Sequence, residues 1–442
     1  MYSDIINTFL NSIRSLRYYV DSVENNVDIR LNSSSDTISG LAHTMHAVIS
    51  AKKKGINLDE FDFSEIELEK IRENSLEDIP KEEFEKAQNL IKEMISSMNR
   101  MIKEKVIDNK IVYEYIWMPK ELKEKYREVE MRERQADILY SGALMLLVTY
   151  FENLISGILK KDFVKHPERI ALNEKSVSYK QLIDYGDIEG IKEYLIDQEV
   201  TNMMYGSLAD WKNFFEKKIK LSISFWGRNF NTMQEIMARR NLFVHNNGII
   251  NTIYLNLIQN KTDTNRLGDS IEINREYIDK AINILEYAGV TLAIEAWLKE
   301  YGNNNDEIQN ITGFIFEEYL IAERWNVARD LYEICLQCNK LCTADELMCQ
   351  INKWQCYKWL GEFEQIKLEI EGVDVSASQP KYQLGILALQ ERYKEFFECF
   401  DRQDDIGEAE LKEWPLFMEL RQSNEFIERF SKITDNDEAD KV

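Results

Sequence analysis

Five prolines and 17 glycines in 442 residues leave this chain few places to interrupt a helix. Those two residues are the strongest helix breakers, about 3 and 1 kcal/mol worse than alanine in a helix interior. Their scarcity, with long stretches rich in Leu, Glu, Lys and Ile, predicts an all-α protein. Apolar residues at 44% and aromatics at 11% are enough for a packed interior. A chain this long should hold two or three domains with their own cores.

The pattern along the chain divides it further. Residues 1–125 read as helices with mixed surface charge and no catalytic pattern. Pro80-Lys81-Glu82-Glu83 opens a helix expected to run to about Lys105, with proline and acids in its first turn. Ile111 to Trp117 reads as a short strand ending at Pro119. His43 and His46 stand three apart on a helix, a spacing that suits a metal, but no third ligand is near in sequence. Residues 126–301 read as a helical bundle. Its helices are expected over about 121–161, 208–221, 229–246 and Arg275–Tyr301, with a looser stretch over 259–273. The last helix carries the apolar stripe Ile278, Ile282, Leu285, Gly289, Leu292, Ala296. Gly302-Asn303-Asn304-Asn305-Asp306 is the best boundary signal in the chain. The residues beyond it form a third unit, 302–432, and 433–442 is an acidic tail expected to be disordered.

Charge narrows function. The net charge is −23, which does not suit a protein that coats nucleic acid by cationic contacts. It is unevenly spread: residues 302–442 carry 15 Lys/Arg against 30 Asp/Glu. Residues 206–245 are a basic island, with Lys212, Lys217, Lys218, Lys220, Arg228, Arg239 and Arg240 against Asp210, Glu216 and Glu235. Within it, Lys217, Lys218, Lys220 and Arg228 are candidate RNA contacts. The opening MYSDIINTFLNSIRSL lacks a secretory charge-then-apolar pattern. The uncharged apolar run Ile138–Phe151 is 14 residues and shorter than a membrane span. Six cysteines in that setting suggest reduced thiols and a cytoplasmic protein.

The most chemically pointed segment is Ala238-Arg239-Arg240-Asn241-Leu242-Phe243-Val244-His245-Asn246-Asn247-Gly248. There are only four histidines in the chain, and this one follows a double arginine. Arginine grips anionic oxygens with a fixed fork of donors, and histidine moves protons near neutral pH. Asn241 and His245, four apart, share a helix face, and Arg240 lies about 140° around from His245. Leu242, Phe243 and Val244 are expected to pack inward, and Gly248 to stop the helix in a left-handed turn.

This segment resembles the R-x(4–6)-H motif of HEPN-domain ribonucleases, over roughly residues 130–300. The polar residue directly after the arginine and the trailing Asn-x-Gly fit that pattern and favour Arg240, although Arg239 also has an acceptable spacing. Phe151-Glu152-Asn153 resembles an earlier helix of the domain that often bears an acid, which makes Glu152 a further candidate. The resemblance implies metal-independent RNA cleavage through 2′-hydroxyl attack, with no cofactor. His245 would act as general acid or base. Arg240 would stabilise the phosphate charge, and Asn241 would orient one or the other. Sites in the family are typically composite. One motif per chain therefore implies a homodimer, and the need for a 2′-hydroxyl implies that DNA is spared. Family company suggests a latent toxin or an anti-phage effector. The plain alternative is that His245 packs at a helix end and Arg240 makes an ion pair. A HEPN fold with a binding or regulatory role is another.

After residue 302 the triplets Glu323-Arg324-Trp325, Gly361-Glu362-Phe363 and Glu391-Arg392-Tyr393 each close an apolar helix. Each is followed by a second helix: Val327–Leu336, Ile366–Ile370 and Lys394–Phe400. Their aromatics are spaced by 38 and 30 residues, near the 34-residue helix–turn–helix period. The array resembles a degenerate tetratricopeptide-type repeat, which implies a protein or peptide partner. A non-catalytic adaptor working through these helices is the competing function. Cys335, Cys338, Cys342 and Cys349 have a zinc-like spacing, but the first two lie within one helix and read better as packing residues. No Gly-rich phosphate loop or Ser/His/Asp order is present.

Overall fold

A computed structural model describes residues 2–27, 37–53, 92–107, 110–258, 266–338, 341–373 and 379–437. The fold is all-α apart from one two-stranded hairpin among the described residues.

Helix α1 (Tyr2–Val27) buries Ile6, Phe9, Leu10, Ile13, Leu16 and Val20, a stripe at three- and four-residue spacing. After it come α2 (Thr37–Lys53) and α3, residues 92–100. The strands β1 (Ile102–Ile107) and β2 (Lys110–Tyr115) pair antiparallel, Ile102 opposite Tyr115. The strand expected near 111–117 is therefore present, but the helix expected to reach Lys105 ends at 100 and gives way to β1. Two β-prone runs, Ile102–Ile107 and Lys110–Tyr115, flank Asp108-Asn109, a hairpin signal that outweighed the helical charge pattern. The expected helix start at Pro80 lies outside the described residues.

Helix α4 (Lys120–Lys165) serves two cores. Its first turns, with Leu122 and Val129, pack with Ala42, Met45, Ile49, Ile95 and Met98 in a small N-terminal cluster. Its second half joins the main bundle with α1, α8 (Ser224–Asn246) and α10 (Arg275–Tyr301). Between them lie α5 (Tyr179–Tyr185), α6 (Ile188–Met204) and α7 (Leu208–Phe214), the last continued by a π-helical turn over Phe215–Ile219. A boundary at residue 125 thus falls inside α4, and α1, which lies before that boundary, belongs to the bundle. Gly289 of α10 lies where three helices meet. A Cβ there would stand 2.6 Å from Leu154 Cδ2 and 2.8 Å from Phe9 Cε1. The most apolar stretches of α4 and α10 are long enough by composition to cross a bilayer, and both contribute heavily to this core.

The described residues of the C-terminal third form three helical hairpins followed by two closing helices. The hairpins are α11 (Asn305–Ile315, with a π turn to Leu320) with α12 (Trp325–Leu336), α13 (Thr343–Trp359) with α14 (Lys367–Glu371), and α15 (Pro380–Leu389) with α16 (Tyr393–Phe400). Each hairpin turns on one design. Glu323, Gly361 and Glu391 have φ of 56°, 72° and 59°. In each turn that residue's amide returns to the carbonyl three back, and the next amide to the carbonyl five back from itself. These bonds satisfy the carbonyls left open by the first helix. The shared turn explains why the three triplets stood out in sequence. α17 (Glu408–Glu413) and α18 (Asn424–Asp437) close the array. The expected tail boundary at 433 falls within α18, and 438–442 lie outside the described residues. Cys335, Cys349 and Cys356 are buried where α12 faces α13, as packing residues. His46 is buried against Tyr126, with ring centroids 5.6 Å apart.

Candidate functional site

Helix α8 is anchored at both ends. At its start the amides of Ser222 and Ile223 donate to the Glu295 carboxylate of α10 at 2.8 and 2.9 Å. This substitutes for the missing side-chain cap. Trp226 Nε1 donates to the Ala288 carbonyl at 2.9 Å. Burial raises the Glu295 carboxyl above its ordinary range, and the two amides partly offset this. At the C-terminus Asn247 and Gly248 both take left-handed conformations, φ 52° and 73°, and both amides reach the Leu242 carbonyl. A Cβ on Gly248 would lie 2.9 Å from Phe243 Cε1, so the stop needs glycine for space as well as for φ. The chain then folds back through an Ile249–Ser270 bridge and α9 (Thr252–Leu257). Ala238, Leu242, Ile250, Tyr254, Leu255 and Ile271 form a small core beneath the helix end.

The two arginines go to different places. Arg239 is held in a closed polar cluster. Its Nε donates to Glu235 Oε1 at 2.7 Å, and its guanidinium sits 3.9 Å from the centroid of the Tyr277 ring. Glu235 also accepts from Tyr254 at 2.7 Å and Tyr277 at 2.8 Å. Burial, then the bond to Glu235, pushes the Tyr254 phenol up to about 12. Arg240 instead reaches across to α4 and pairs with Glu152, the two side chains 21% and 30% exposed. The Arg240 Nε is buried with no acceptor among the described residues.

Asn241 and His245 are exposed at the same helix end, and no hydrogen bond to either side chain is present among the described residues. Val244, expected inside, is 47% exposed. A helix turns 100° per residue, so with Leu242 buried its neighbour two positions on faces outward. The lysines of the basic island are not beside the motif. Lys217, Lys218 and Lys220 precede α8, and the 16 residues from Ser224 to Arg240 rise about 24 Å. Arg228 is three turns before Arg240 and pairs with Asp330 of α12 at 2.9 Å. Of the residues expected at the site, the structure brings Arg240 and Glu152 together, while Asn241 and His245 lie exposed on the last turns of α8 without a hydrogen bond to that pair among the described residues. Glu235, which settles the orientation of Arg239, was not singled out in sequence. The spacing Glu235–Arg239 (i, i+4) was the available signal.

No family model, curated protein or solved structure matches this chain.

Proposed function

We propose that this protein is a metal-independent endoribonuclease of the HEPN type, held latent in the cytoplasm as a toxin or anti-phage effector. The observation that carries the reading is the sorting of the motif's side chains. Arg239 is held by Glu235 of its own helix and by the Tyr277 ring, whereas Arg240 pairs across the bundle with Glu152 of α4, and Asn241 and His245 are exposed on the last turns of α8. In the proposed reaction the 2′-oxygen forms a bond to phosphorus and the bond from phosphorus to the 5′-oxygen breaks. His245 takes the 2′-hydroxyl proton or supplies one to the leaving 5′-oxygen. Arg240 binds the non-bridging oxygens as negative charge builds on them. Asn241 orients phosphate or imidazole through its amide. The products carry 2′,3′-cyclic phosphate and 5′-hydroxyl ends, and DNA is not cut.

A second copy completes the site in this reading. Ile138 and Met145 lie 14 and seven residues before Glu152, on the same stripe of α4, and both are exposed, as is Val244 of α8. That is an apolar margin beside the polar groups, suited to a two-fold contact.

The test is RNA cleavage by purified protein in EDTA, comparing wild type with Arg240→Ala and His245→Ala. Cyclic-phosphate ends are expected from the wild type, with cleavage reduced about 10²- to 10⁴-fold in each variant. Equal cleavage by all three proteins overturns the assignment. A second reading, a non-catalytic adaptor, draws on a cavity of about 710 Å³ in the hairpin array. It predicts that overexpression is tolerated equally with and without Arg240 and His245.

A further inference from the structure

The first helices of the three hairpins, α11, α13 and α15, line a cavity of about 710 Å³. On α13 its wall includes the stripe Asp345, Met348, Asn352 and Gln355, at steps of three, four and three residues, flanked by Ala344 and Ile351. Asp345 and Gln355 are ten residues apart, so the trough extends about 15 Å along the helix. An extended chain of about five residues spans that distance at roughly 3.3 Å each. A compact ligand would not reach both ends.

In this trough acids exceed bases, and two of its buried acceptors are short of donors. Gln355 is 1% exposed. Its Nε2 donates to Asn352 Oδ1 at 2.8 Å, and Asn352 Nδ2 donates to Tyr332 at 3.1 Å. That relay fixes the amide and leaves Gln355 Oε1 buried with no donor among the described residues. A buried acceptor in that state needs an N–H or O–H from elsewhere. At the other end the Asp345 carboxylate is 7% exposed, and its only side-chain donor among the described residues is the Cys342 thiol, Sγ to Oδ2 3.1 Å. A thiol is a weak donor for a carboxylate. Phe316 and Trp414, with ring centroids 5.6 Å apart in an edge-to-face pair, supply aromatic surface to the same cavity. Glu317 and Asp405 add carboxylates, against Lys381 as the one cation in the lining.

We infer that this trough binds an extended peptide segment bearing an arginine, its guanidinium directed to Asp345 and the aromatic wall and a backbone N–H directed to Gln355. Guanidinium brings a fork of donors and stacks on aromatic rings, which an ammonium does less well. The excess of acid over base in residues 302–442 repels a polyanion and attracts a cationic segment. The inference is independent of the nuclease reading, because it concerns different residues and a different ligand.

The experiment uses the full chain and fluorescence anisotropy with labelled pentapeptide mixtures. One mixture has arginine fixed at the centre, and a second has citrulline, which keeps the shape but not the charge. Acetyl-arginine amide serves as a competitor. The arginine mixture is expected to bind at least about tenfold more tightly than the citrulline mixture, with the single amino acid at least about tenfold weaker. Gln355→Leu and Asp345→Asn are each expected to weaken binding at least about fivefold. Glu317→Gln, an exposed site that leaves packing untouched, should weaken it by about twofold and guards against a folding artefact. Equal binding of the two mixtures, no saturation by the arginine mixture at millimolar concentration, or unchanged binding by folded Gln355→Leu and Asp345→Asn overturns the inference. Competition by acetyl-arginine amide as strong as by the pentapeptides overturns its peptide component.

Discussion

Replacing Arg239 by alanine separates the two arginines of the motif helix. The substitution removes the cation around which Glu235, the Glu272 carbonyl, Tyr254 and Tyr277 are arranged, at 2.7, 3.2 and 3.5 Å for the three oxygens and 3.9 Å for the ring centroid. The Arg239 and Glu235 side chains are 18% and 21% exposed. That lies between the surface regime, where an ion pair contributes about 0–1 kcal/mol, and the buried one, where breaking a pair costs about 3–5 kcal/mol. A mid-range value of about 2 kcal/mol, with about 0.5–1 kcal/mol for the stacked guanidinium, gives a loss of about 3 kcal/mol. The two tyrosine donors remain on Glu235 and keep the loss below the fully buried figure. The assay is urea unfolding, with a lower midpoint at unchanged slope expected for Arg239→Ala. In a double-mutant cycle with Glu235→Gln the coupling should be about 1–2 kcal/mol. A stability change below about 0.5 kcal/mol accompanied by loss of RNA cleavage would refute the reasoning and make Arg239 the working residue.

Two further outcomes test the fold and its electrostatics. Gly289→Ala gains about 1 kcal/mol of helix propensity, but its Cβ meets Leu154 and Phe9 inside van der Waals distance. Overpacking costs about 1–3 kcal/mol, so a net loss of up to about 2 kcal/mol is expected; a raised melting temperature would contradict the three-helix contact. Glu295 has its folded-state pKa raised by burial. Its contribution is therefore fully present below the unfolded value and is lost as pH rises through the raised one. Glu295→Gln removes that dependence, so the variant's melting temperature relative to wild type should climb as pH rises above the ordinary glutamate range. Parallel profiles would show that the carboxyl titrates alike in both states.

Much of this architecture was legible because it is written in local signals. Helix 275–301 shows its apolar stripe at the right period, and it folds as α10 over those residues. Asn247-Gly248 carries its own left-handed stop, and the three hairpin triplets carry theirs. What escaped was non-local. An amphipathic stripe says that α1 must bury one face but not against which core, and it joins α4 and α10 across more than a hundred residues. Strand β1 was hidden because Ile102-Lys103-Glu104-Lys105 also suits a helix, and only its pairing with β2 decides. The choice between Arg239 and Arg240 depends on tyrosines 15 and 38 positions later in the chain. The basic island looked like one patch in sequence, but α8 places its lysines and its Arg240 at opposite ends of a 23-residue helix.

The hairpin array and the bundle are also less separable than the Asn-rich boundary at 302–306 suggests. Helix α11 buries Ile308, Ile311 and Ile315 in the same continuous core as α10, while Gln309 and Phe316 face the trough. Glu286 of α10, 3% exposed, accepts from Arg17 of α1 at 3.1 Å and from Arg324 at the first hairpin turn. Removing Arg324 with the array would strip the buried carboxylate of one of its two cations, which is costly in a low-dielectric site. Cutting the chain at 302 would also expose the face of α10 that α11 and α12 cover. Truncation is therefore a poor way to separate the proposed RNA cleavage by the bundle from the proposed partner binding by the array, because either half would fail for reasons of packing. Single substitutions at His245 and Gln355, one exposed and one within the trough, leave that shared core in place and test the two proposals independently.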